Sequence, residues 1–370
     1  MTRDVWVEVD PVALRHNLRQ VRGVVGESVR IMAVVKANGY GHGLVEPSRA
    51  FVEAGADALA VTRIEEALPI RQAGTDAPIL LLAPIQPENA EAAVEAGLEM
   101  TVADAPLCRA ISEASTRLGK TARVHVKLDT GMGRLGLLPD EVPSLFQAIS
   151  SMRGIEVAGT YTHFATASEA DITPARNQLE VFRRVTAGLK EMGFDCGLAH
   201  AANSAAILRM PGARLDMVRP GTLLYGQYPS RHVAHDLDLK PTWKLKARVC
   251  QVRDLPPGIS VGYGAEHVTR RPTRTAVVPL GFADGFTLAP EGPIYRQGVL
   301  GFVLRKMRRS LAVEVRGRRA PVIGRVAMQM AVIDVTGIPG VEVGDEVIVP
   351  AMRIPTSALI PRVYVDSASF

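Results

Sequence analysis

Cysteine is scarce in this sequence, with three among its 370 residues. Cys108, Cys196 and Cys250 lie far apart, without the short Cys or His spacing of a zinc site. An odd and sparse set of cysteines is untypical of a disulfide framework and favours a reducing compartment. The sequence therefore predicts a cytoplasmic protein with no metal centre.

Long apolar runs and an excess of one charge are also missing. No stretch approaches the ~18 apolar residues that a membrane helix needs. The opening residues, MTRDVWVEVDPVAL, alternate like a strand and lack the basic head and apolar core of a signal peptide. The 43 Lys and Arg residues are interleaved with 38 Asp and Glu residues, which gives a net charge of +5. These features predict a globular protein that binds neither a membrane nor nucleic acid.

Short apolar segments alternate with longer amphipathic segments from residue 30 to about residue 225. About eight such pairs, among them IMAVVKA, PILLLAP and RVHVKLDTG with the segments that follow them, indicate buried parallel strands joined by helices. We expect a (β/α)₈ TIM-type barrel, and an open doubly wound sheet is the alternative. From about residue 240 the segments are β-branched, with Gly and Pro between them, and indicate an all-β domain. The predicted domains are residues 1–238 and 239–370.

A single lysine ends the apolar run of AVVKANGYGHG, at residues 33–43. If this run is a barrel strand, Lys36 lies at the carboxyl-end rim, where catalytic residues of such barrels lie. A desolvated lysine there has a lowered pKa and can react with a carbonyl group. The alternative is a strand-end lysine whose amine simply reaches solvent.

Other charged and polar residues follow predicted strands in the same way. Asn203 and Ser204 stand where a helix begins, either as its N-cap or as part of a phosphate site. Together with Lys36, the strand-end set predicts a polar pocket for an anionic cofactor and a carboxylate substrate. The other members of this set are Lys127, Arg134, His163, Arg219 and Gly221.

The sequence resembles the alanine racemases, which are fold-type III pyridoxal-phosphate enzymes. The resemblance rests on AVVKANGYGHG and on further motifs that follow the family's order over nearly the whole chain. These motifs are VEVDPVALRHNL, VHVKLDTGMGRLG, THFA, ANSAAIL, VRPGTLLYG, VGYGAE, PLGFADG and GRVAM.

The resemblance implies racemisation of L-alanine and D-alanine, which supplies D-alanine for peptidoglycan. Lys36 is then the residue that bonds to pyridoxal phosphate and serves as one acid–base group. Tyr263, in SVGYGAEH, is the other group and comes from the partner subunit, so a homodimer with shared active sites is implied. Two groups on opposite faces of the reacting carbon give racemisation.

The same resemblance assigns the remaining residues of the site. Arg219 faces the pyridine nitrogen of the cofactor, and His163 links Tyr263 towards Arg219. Arg134 lies near the substrate carboxylate, and the Met328 amide meets that carboxylate from the second subunit. The assigned phosphate contacts are Tyr40, Ser204 and Gly221, with Asn203 beside them. Lys127 matches a lysine that is often carbamylated.

Three departures from the family pattern concern the substrate entrance. Phe282 stands where the family usually has tyrosine, and Gln329 stands where it has aspartate. The C-terminal region is also short and lacks a tyrosine that narrows the entrance, a role that Tyr295 would fill only in part. The alternative function is therefore a related racemase with broader or shifted specificity, for serine or basic amino acids. A decarboxylase of the same fold type, a cofactor-carrying barrel protein and an inactive barrel are more distant alternatives.

Overall fold

The computed structural model describes residues 3–288, 311–366 and 370. Tyr295 lies outside these residues. The chain forms two compact units, which we call the barrel unit (Pro11–Thr242) and the sheet unit (Met1–Asp10 with Trp243–Phe370). No helix within the described residues is long and apolar enough to span a membrane.

Strand β1 (Val5–Val9) belongs to the sheet unit, and helix α1 (Pro11–Val25) begins the barrel unit. Eight parallel strands then form a closed barrel in sequence order. They are β2 (Arg30–Val34), β3 (Ala58–Val61), β4 (Ile79–Leu81), β5 (Glu99–Val102), β6 (Ala122–Lys127), β7 (Ile155–Tyr161), β8 (Leu198–Asn203) and β9 (Met217–Arg219).

Helical segments follow the barrel strands and cover them. Their bounds are α2 (Lys36–Tyr40), α3 (Val45–Glu53), α4 (Ile64–Gln72), α5 (Ala90–Glu95), α6 (Ala105–Leu118), α7 (Val142–Ser150), α8 (Thr173–Glu191) and α9 (Ser204–Arg209). Local signals fix several helix starts: the Asp104 carboxylate accepts a hydrogen bond from the Leu107 amide at α6, and Pro174 occupies the first turn of α8.

Pairing of the first and last barrel strands closes the barrel. Arg30 pairs with Met217 and Ile31 with Val218, both in parallel register. This closure confirms the predicted (β/α)₈ barrel and excludes the open doubly wound sheet. Because all eight strands run the same way, their carboxyl ends meet at one rim.

The sheet unit is built from β-strands, as predicted for the C-terminal region. Its strands after the barrel unit are β10 (Trp243–Arg248), β11 (Gln251–Leu255), β12 (Ser260–Val261), β13 (His267–Val268), β14 (Thr273–Val278), β15 (Ala312–Val315), β16 (Arg318–Ile323), β17 (Ala331–Asp334), β18 (Glu346–Val349) and β19 (Arg362–Tyr364). Within the described residues, nine strands form one sheet in the order β11-β14-β17-β16-β15-β18-β10-β1-β19, and β12 pairs with β13 separately.

The two units do not coincide with the predicted domains, whose boundary lies between residues 238 and 239. Strand β1 pairs with β10 in antiparallel register and with β19 in parallel register, so residues 5–9 lie inside the sheet of the other unit. The side chains of Trp6, Val7 and Val9 are buried there. Sequence periodicity predicts this strand, but the pairing partners are set by contacts far along the chain. The segment GQYPSRHVAHDLDLKP, which spans the predicted division, lies wholly within the barrel unit.

Candidate active site

A cavity of about 520 Å³ opens among the residues at the carboxyl ends of the barrel strands. Every predicted site residue of the barrel unit lines this cavity. These residues are Lys36, Tyr40, Lys127, Arg134, His163, Asn203, Ser204, Arg219 and Gly221. The expectation that strand-end residues converge is therefore met by the geometry of a parallel barrel.

Lys36 lies at the start of a left-handed backbone turn. The four residues after it, Ala37, Asn38, Gly39 and Tyr40, all have positive φ, between 52° and 58°. Left-handed backbone costs about 1–2 kcal/mol for each residue that carries a side chain. Three of these four residues are not glycine, so the turn is strained and must be held by its surroundings.

A carboxylate on a neighbouring helix holds this turn. Glu66 Oε1 accepts hydrogen bonds from the Ala37 amide at 2.6 Å and the Asn38 amide at 3.4 Å, and Oε2 accepts one from the Thr62 amide at 3.0 Å. Because the acceptor is a carboxylate, these charge-assisted hydrogen bonds support the strained residues.

Burial is the main cause that lowers the pKa of Lys36, and the positive charge of Arg134 adds to it. The carboxylate of Glu66 opposes both effects. A lowered pKa increases the neutral fraction of the amine, which is the form that reacts with a carbonyl carbon.

At another edge of the cavity, the hydroxyl groups of Ser204 and Tyr40 lie beside the backbone of Gly221. The Ser204 hydroxyl accepts a hydrogen bond from the Gly221 amide at 2.9 Å. A Cβ atom on Gly221 would lie 2.4 Å from the Tyr40 hydroxyl, so a side chain here would displace the Tyr40 ring. The Tyr40 ring stacks on Tyr225, with ring centroids 4.7 Å apart. The Asn203 side chain caps α9 by accepting hydrogen bonds from two amides of that helix.

Arg219 ends β9 and is almost fully buried. Its Nη2 donates to the Thr162 carbonyl at 2.7 Å and the Ala201 carbonyl at 3.1 Å, and its Nη1 donates to His200 Nδ1 at 2.6 Å. Burial lowers the pKa of this guanidinium to about 10, against the opposing effect of Tyr161. Arg219 therefore stays a cation at neutral pH and can only donate hydrogen bonds.

The buried amine of Lys127 is the least satisfied polar group of the cavity. Its Nζ lies 4.4 Å from the centroid of the Tyr161 ring and has no hydrogen-bond partner within the part of the chain that the structure describes. Burial, and then the charges of Arg219 and Arg134, lower its pKa well below the ordinary value, against the opposing charge of Asp129. Burial and the same cations lower the pKa of His163, so this imidazole is neutral.

Arg134 lies on an exposed loop that a carboxylate organises. The Asp129 side chain accepts hydrogen bonds from the amides of Gly131, Met132 and Arg134 at 2.8 to 3.0 Å. These bonds lower the pKa of Asp129 against the effect of its burial. Asp129 thus shapes the loop that carries Arg134.

The predicted site residues of the sheet unit are exposed side chains. Tyr263 lies in a short turn (Tyr263–Ala265) with 70% of its surface exposed, and Met328 is 62% exposed. Phe282 and Gln329 are exposed as well.

Sequence reasoning missed several contributors to the cavity. Tyr161 lines it and stacks on His200, with ring centroids 4.7 Å apart and an interplanar angle of 4°. Glu66 and Tyr225 act on the turn after Lys36 from outside the motif. Tyr161 could have been found from the sequence, because it directly precedes the THFA motif. Glu66 could not, because its pattern is that of a solvent-facing charge on an amphipathic helix.

Two family models match the chain in succession: the alanine racemase N-terminal domain over residues 9–229 and the alanine racemase C-terminal domain over residues 242–359. The chain belongs to the alanine racemase family. Its relatives include alanine racemase from Desulforamulus reducens, 42% identical over 353 residues that span 94% of this chain and 90% of that one. Alanine racemase 2 from Caldanaerobacter subterraneus is 40% identical over 94% of this chain and 85% of its own length.

Solved alanine racemases share the fold over nearly the whole chain. The enzyme from Clostridium difficile matches with a TM-score of 0.90 and 31% identity, covering 99% of this chain and 97% of that one. The Bacillus anthracis alanine racemase, solved with bound L-Ala-P, matches with a TM-score of 0.87 and 30% identity, covering 99% of this chain and 96% of that one. This chain thus has the two-part architecture of alanine racemases.

Proposed function

We propose that this chain catalyses the interconversion of L-alanine and D-alanine with pyridoxal phosphate as cofactor. The observation that carries the proposal is Lys36, a partly buried amine of lowered pKa that lines the cavity in a chain of the alanine racemase family. The D-alanine product would supply peptidoglycan. The relatives are named for alanine, so the alternative of a racemase for serine or basic amino acids is not favoured.

The cavity fits pyridoxal phosphate group by group. Lys36 would supply the amine that bonds to the aldehyde of the cofactor. The Tyr40 and Ser204 hydroxyls beside Gly221 would bind its phosphate, at a position where a Cβ atom would collide with Tyr40. Arg219 faces the pyridine nitrogen in this proposal and, as a donor only, leaves that nitrogen unprotonated. When bound, the cofactor would withdraw electrons from the amino acid and make its Cα–H acidic.

Racemisation needs one proton-transfer group on each face of the substrate Cα. In our proposal Lys36 Nζ moves the proton on the D face and Tyr263 Oη moves it on the L face. Arg134 binds the substrate carboxylate and so orients the Cα hydrogen towards one of these two atoms. His163, kept neutral by burial and by the neighbouring cations, links Tyr263 towards Arg219.

The tyrosine is proposed to come from a second copy of the chain. The cavity is lined by the barrel unit, whereas Tyr263 and Met328 are exposed on the sheet unit. Tyrosine and methionine are both enriched at protein–protein interfaces. A homodimer with two shared sites would bring the Tyr263 hydroxyl and the Met328 amide of one copy to the substrate of the other.

Lys127 is proposed to carry a carbamate. Its amine is buried and has no hydrogen-bond partner among the described residues, and burial lowers its pKa, which favours the neutral form that attacks carbon dioxide. The N–C bond forms as one C–O π bond opens, and the amine proton passes to solvent. The resulting anion would accept hydrogen bonds from Arg134 and fix its orientation. Labelled bicarbonate should give a carbamate carbon signal in the native protein that is absent from Lys127→Met.

The experiment that tests the function uses the purified chain with added pyridoxal phosphate. We expect an absorbance band of bound cofactor and conversion of L-alanine to D-alanine, followed with a D-amino-acid oxidase. Serine, lysine and arginine are assayed in parallel, and we expect alanine to have the highest kcat/KM. Faster turnover of a larger amino acid would instead support the shifted specificity, and no conversion of any of them would refute the proposal.

A further inference from the structure

A row of buried polar side chains crosses the interior of the barrel below the cavity. Glu99 begins β5, His125 lies on β6 and His200 lies on β8, and their exposed surface is 6%, 1% and 0%. Glu99 Oε2 lies 2.9 Å from His125 Nε2, and His125 Nδ1 lies 2.9 Å from His200 Nε2. Since His200 Nδ1 also bonds to Arg219, the row connects a buried carboxylate to the cavity.

The direction of every hydrogen bond in this row is determined by its two ends. Arginine only donates, so His200 Nδ1 accepts, and a neutral imidazole must then carry its proton on Nε2. That proton is donated to His125 Nδ1, which leaves the second imidazole to donate from Nε2 to Glu99. Two neutral imidazoles thus join one cation to one anion, with all donors pointing towards the carboxylate.

The charge states fit this polarity. Burial would raise the pKa of Glu99, but its hydrogen bonds with His125 and Arg123 and the charge of Arg123 lower it. Burial, followed by the charge of Arg219, lowers the pKa of His200 well below its ordinary value. Glu99 is therefore ionised and His200 neutral at physiological pH.

The fold makes room for the row. A Cβ atom on Gly159 of β7 would lie 2.5 Å from His125 Nδ1, so the missing side chain lets the imidazole reach His200. His200 is held from the other side by Tyr161, whose ring stacks on it. The described residues include no group of three or more His, Cys, Asp or Glu side chains arranged to hold a metal ion. The row is thus built for hydrogen bonding.

We propose that Glu99 is a positioning residue for Arg219, acting through His125 and His200. Its charge fixes both imidazole tautomers, and the polarised row holds the guanidinium in one orientation at the cavity. This inference rests on the proposed function in taking Arg219 as the residue that faces the cofactor. The row itself exists independently of any ligand, so it can be tested without one.

A matched control exists on the outer side of the row. Arg123 Nε donates to Glu99 Oε1 at 2.8 Å, and its Nη1 donates to Glu156 Oε1 at 2.9 Å. Glu156 is half-exposed and bonds to the same arginine without touching either histidine. Glu156→Gln therefore removes a carboxylate from Arg123 and leaves the row intact, whereas Glu99→Gln removes the charge and keeps an acceptor for His125.

The first measurement is NMR of the histidine-labelled full chain without added cofactor, with His125→Gln and His200→Gln used for assignment. In Glu99→Gln we expect the N–H resonances of both histidines to shift, although His200 does not touch residue 99. Glu156→Gln should shift neither, and Glu99→Asp should shift both less than Glu99→Gln. A change confined to His125 would overturn the proposal. If Glu99→Gln does not fold, the shift of His200 in Glu99→Asp decides the same point.

The second measurement is turnover of the cofactor-loaded enzyme. We expect Glu99→Gln to lower kcat by about tenfold with KM within about twofold, as loss of an outer hydrogen-bonding partner commonly does. Glu99→Asp should recover part of this loss, and Glu156→Gln should match the parent. Equal losses in Glu99→Gln and Glu156→Gln, or no loss in either, would refute the role in catalysis. If the parent itself does not racemise alanine, the proposed function fails, while the NMR result still decides whether the row transmits the charge.

Discussion

The barrel unit and the sheet unit present their site residues in opposite ways. In the barrel unit, Lys127 and Arg219 are each 4% exposed, and burial has already shifted their pKa values. In the sheet unit, Tyr263 and Met328 lie mainly in solvent. The site residues of the barrel unit are thus removed from solvent within one chain, whereas those of the sheet unit are not. With the proposed shared site, variants of the barrel unit should change ligand binding in one chain, and variants of the sheet unit should act across chains.

The largest effect is expected at Lys36. Lys36→Ala should remove the absorbance of bound cofactor and lower turnover by at least about 10⁴-fold, since both covalent attachment and one acid–base group are lost. Lys36→Arg should do no better, because a guanidinium is too weakly nucleophilic. The exposed Lys120, changed to alanine, is the control and should behave as the parent. A normal cofactor band in Lys36→Ala would contradict the assignment.

The next largest effect is expected at Tyr263. Tyr263→Phe should keep the cofactor and lose at least about 10²-fold in turnover, the usual scale for removal of a general base. Tyr364→Phe, in the same unit, should be close to the parent.

Mixing inactive Lys36→Ala and Tyr263→Phe proteins sharpens the comparison of the two units. In a mixed dimer one site carries both changes and the other carries neither, so random exchange should restore about a quarter of the parent activity. Subunit exchange is followed with differently labelled copies. Exchange without any return of activity would show that the tyrosine acts within its own chain.

A smaller effect concerns pH and the buried amine of Lys127. Its folded pKa lies below the ordinary 10.5, so the unfolded chain binds more protons between these two values, and the free energy of unfolding rises with pH across that window. In buffer free of carbon dioxide, Lys127→Met should stabilise the protein at neutral pH by about 1–3 kcal/mol and flatten this rise.

Lys36 contributes in the same direction, so the slope should fall without vanishing. Denaturant unfolding at several pH values measures this, with Lys120→Met as the control. An unchanged slope in Lys127→Met would mean that the amine is satisfied in the native protein.

The smallest effect is expected at the strained turn. Glu66→Ala leaves the amides of Ala37 and Asn38 without their acceptor, so the lysine should be held less tightly. We expect kcat to fall by about three- to tenfold, on the scale of one charge-assisted hydrogen bond. The pH profile of kcat should also lie at lower pH than in the parent, because Glu66 raises the pKa of Lys36 and its removal lowers that pKa further. The neighbouring Glu65→Ala should change neither quantity.

Much of the barrel was accessible from the sequence because a parallel barrel obeys a simple rule. Strand ends meet at one rim, so Lys36, Lys127 and Arg219 could be assigned to one pocket from local patterns. The rule says nothing about residues at the opposite strand ends. Glu99 opens β5 and reaches His125 only through the register of neighbouring strands, which no local pattern reveals.

Two further features were hidden for the same reason. Ala37, Asn38 and Tyr40 adopt left-handed backbone although none is glycine, because tertiary contacts override local preference. The partners of β1 lie far along the chain, so periodicity predicts the strand and leaves its sheet undetermined. The exposure of Tyr263 likewise follows from the packing of the sheet unit, which the sequence motif does not describe.

The position of β1 also has a consequence for how the chain is made. Val5 pairs with Ala247, and the Val7 amide donates to the Pro361 carbonyl, so an early segment completes a sheet whose other strands are synthesised last. All of the barrel leaves the ribosome before β10 does, and it can fold while the segment VWVEV is still unpaired. An apolar strand that remains unpaired during synthesis is a target for chaperones and for pairing with another nascent chain. Translation speed through residues 243–364 should therefore influence how much of the protein aggregates.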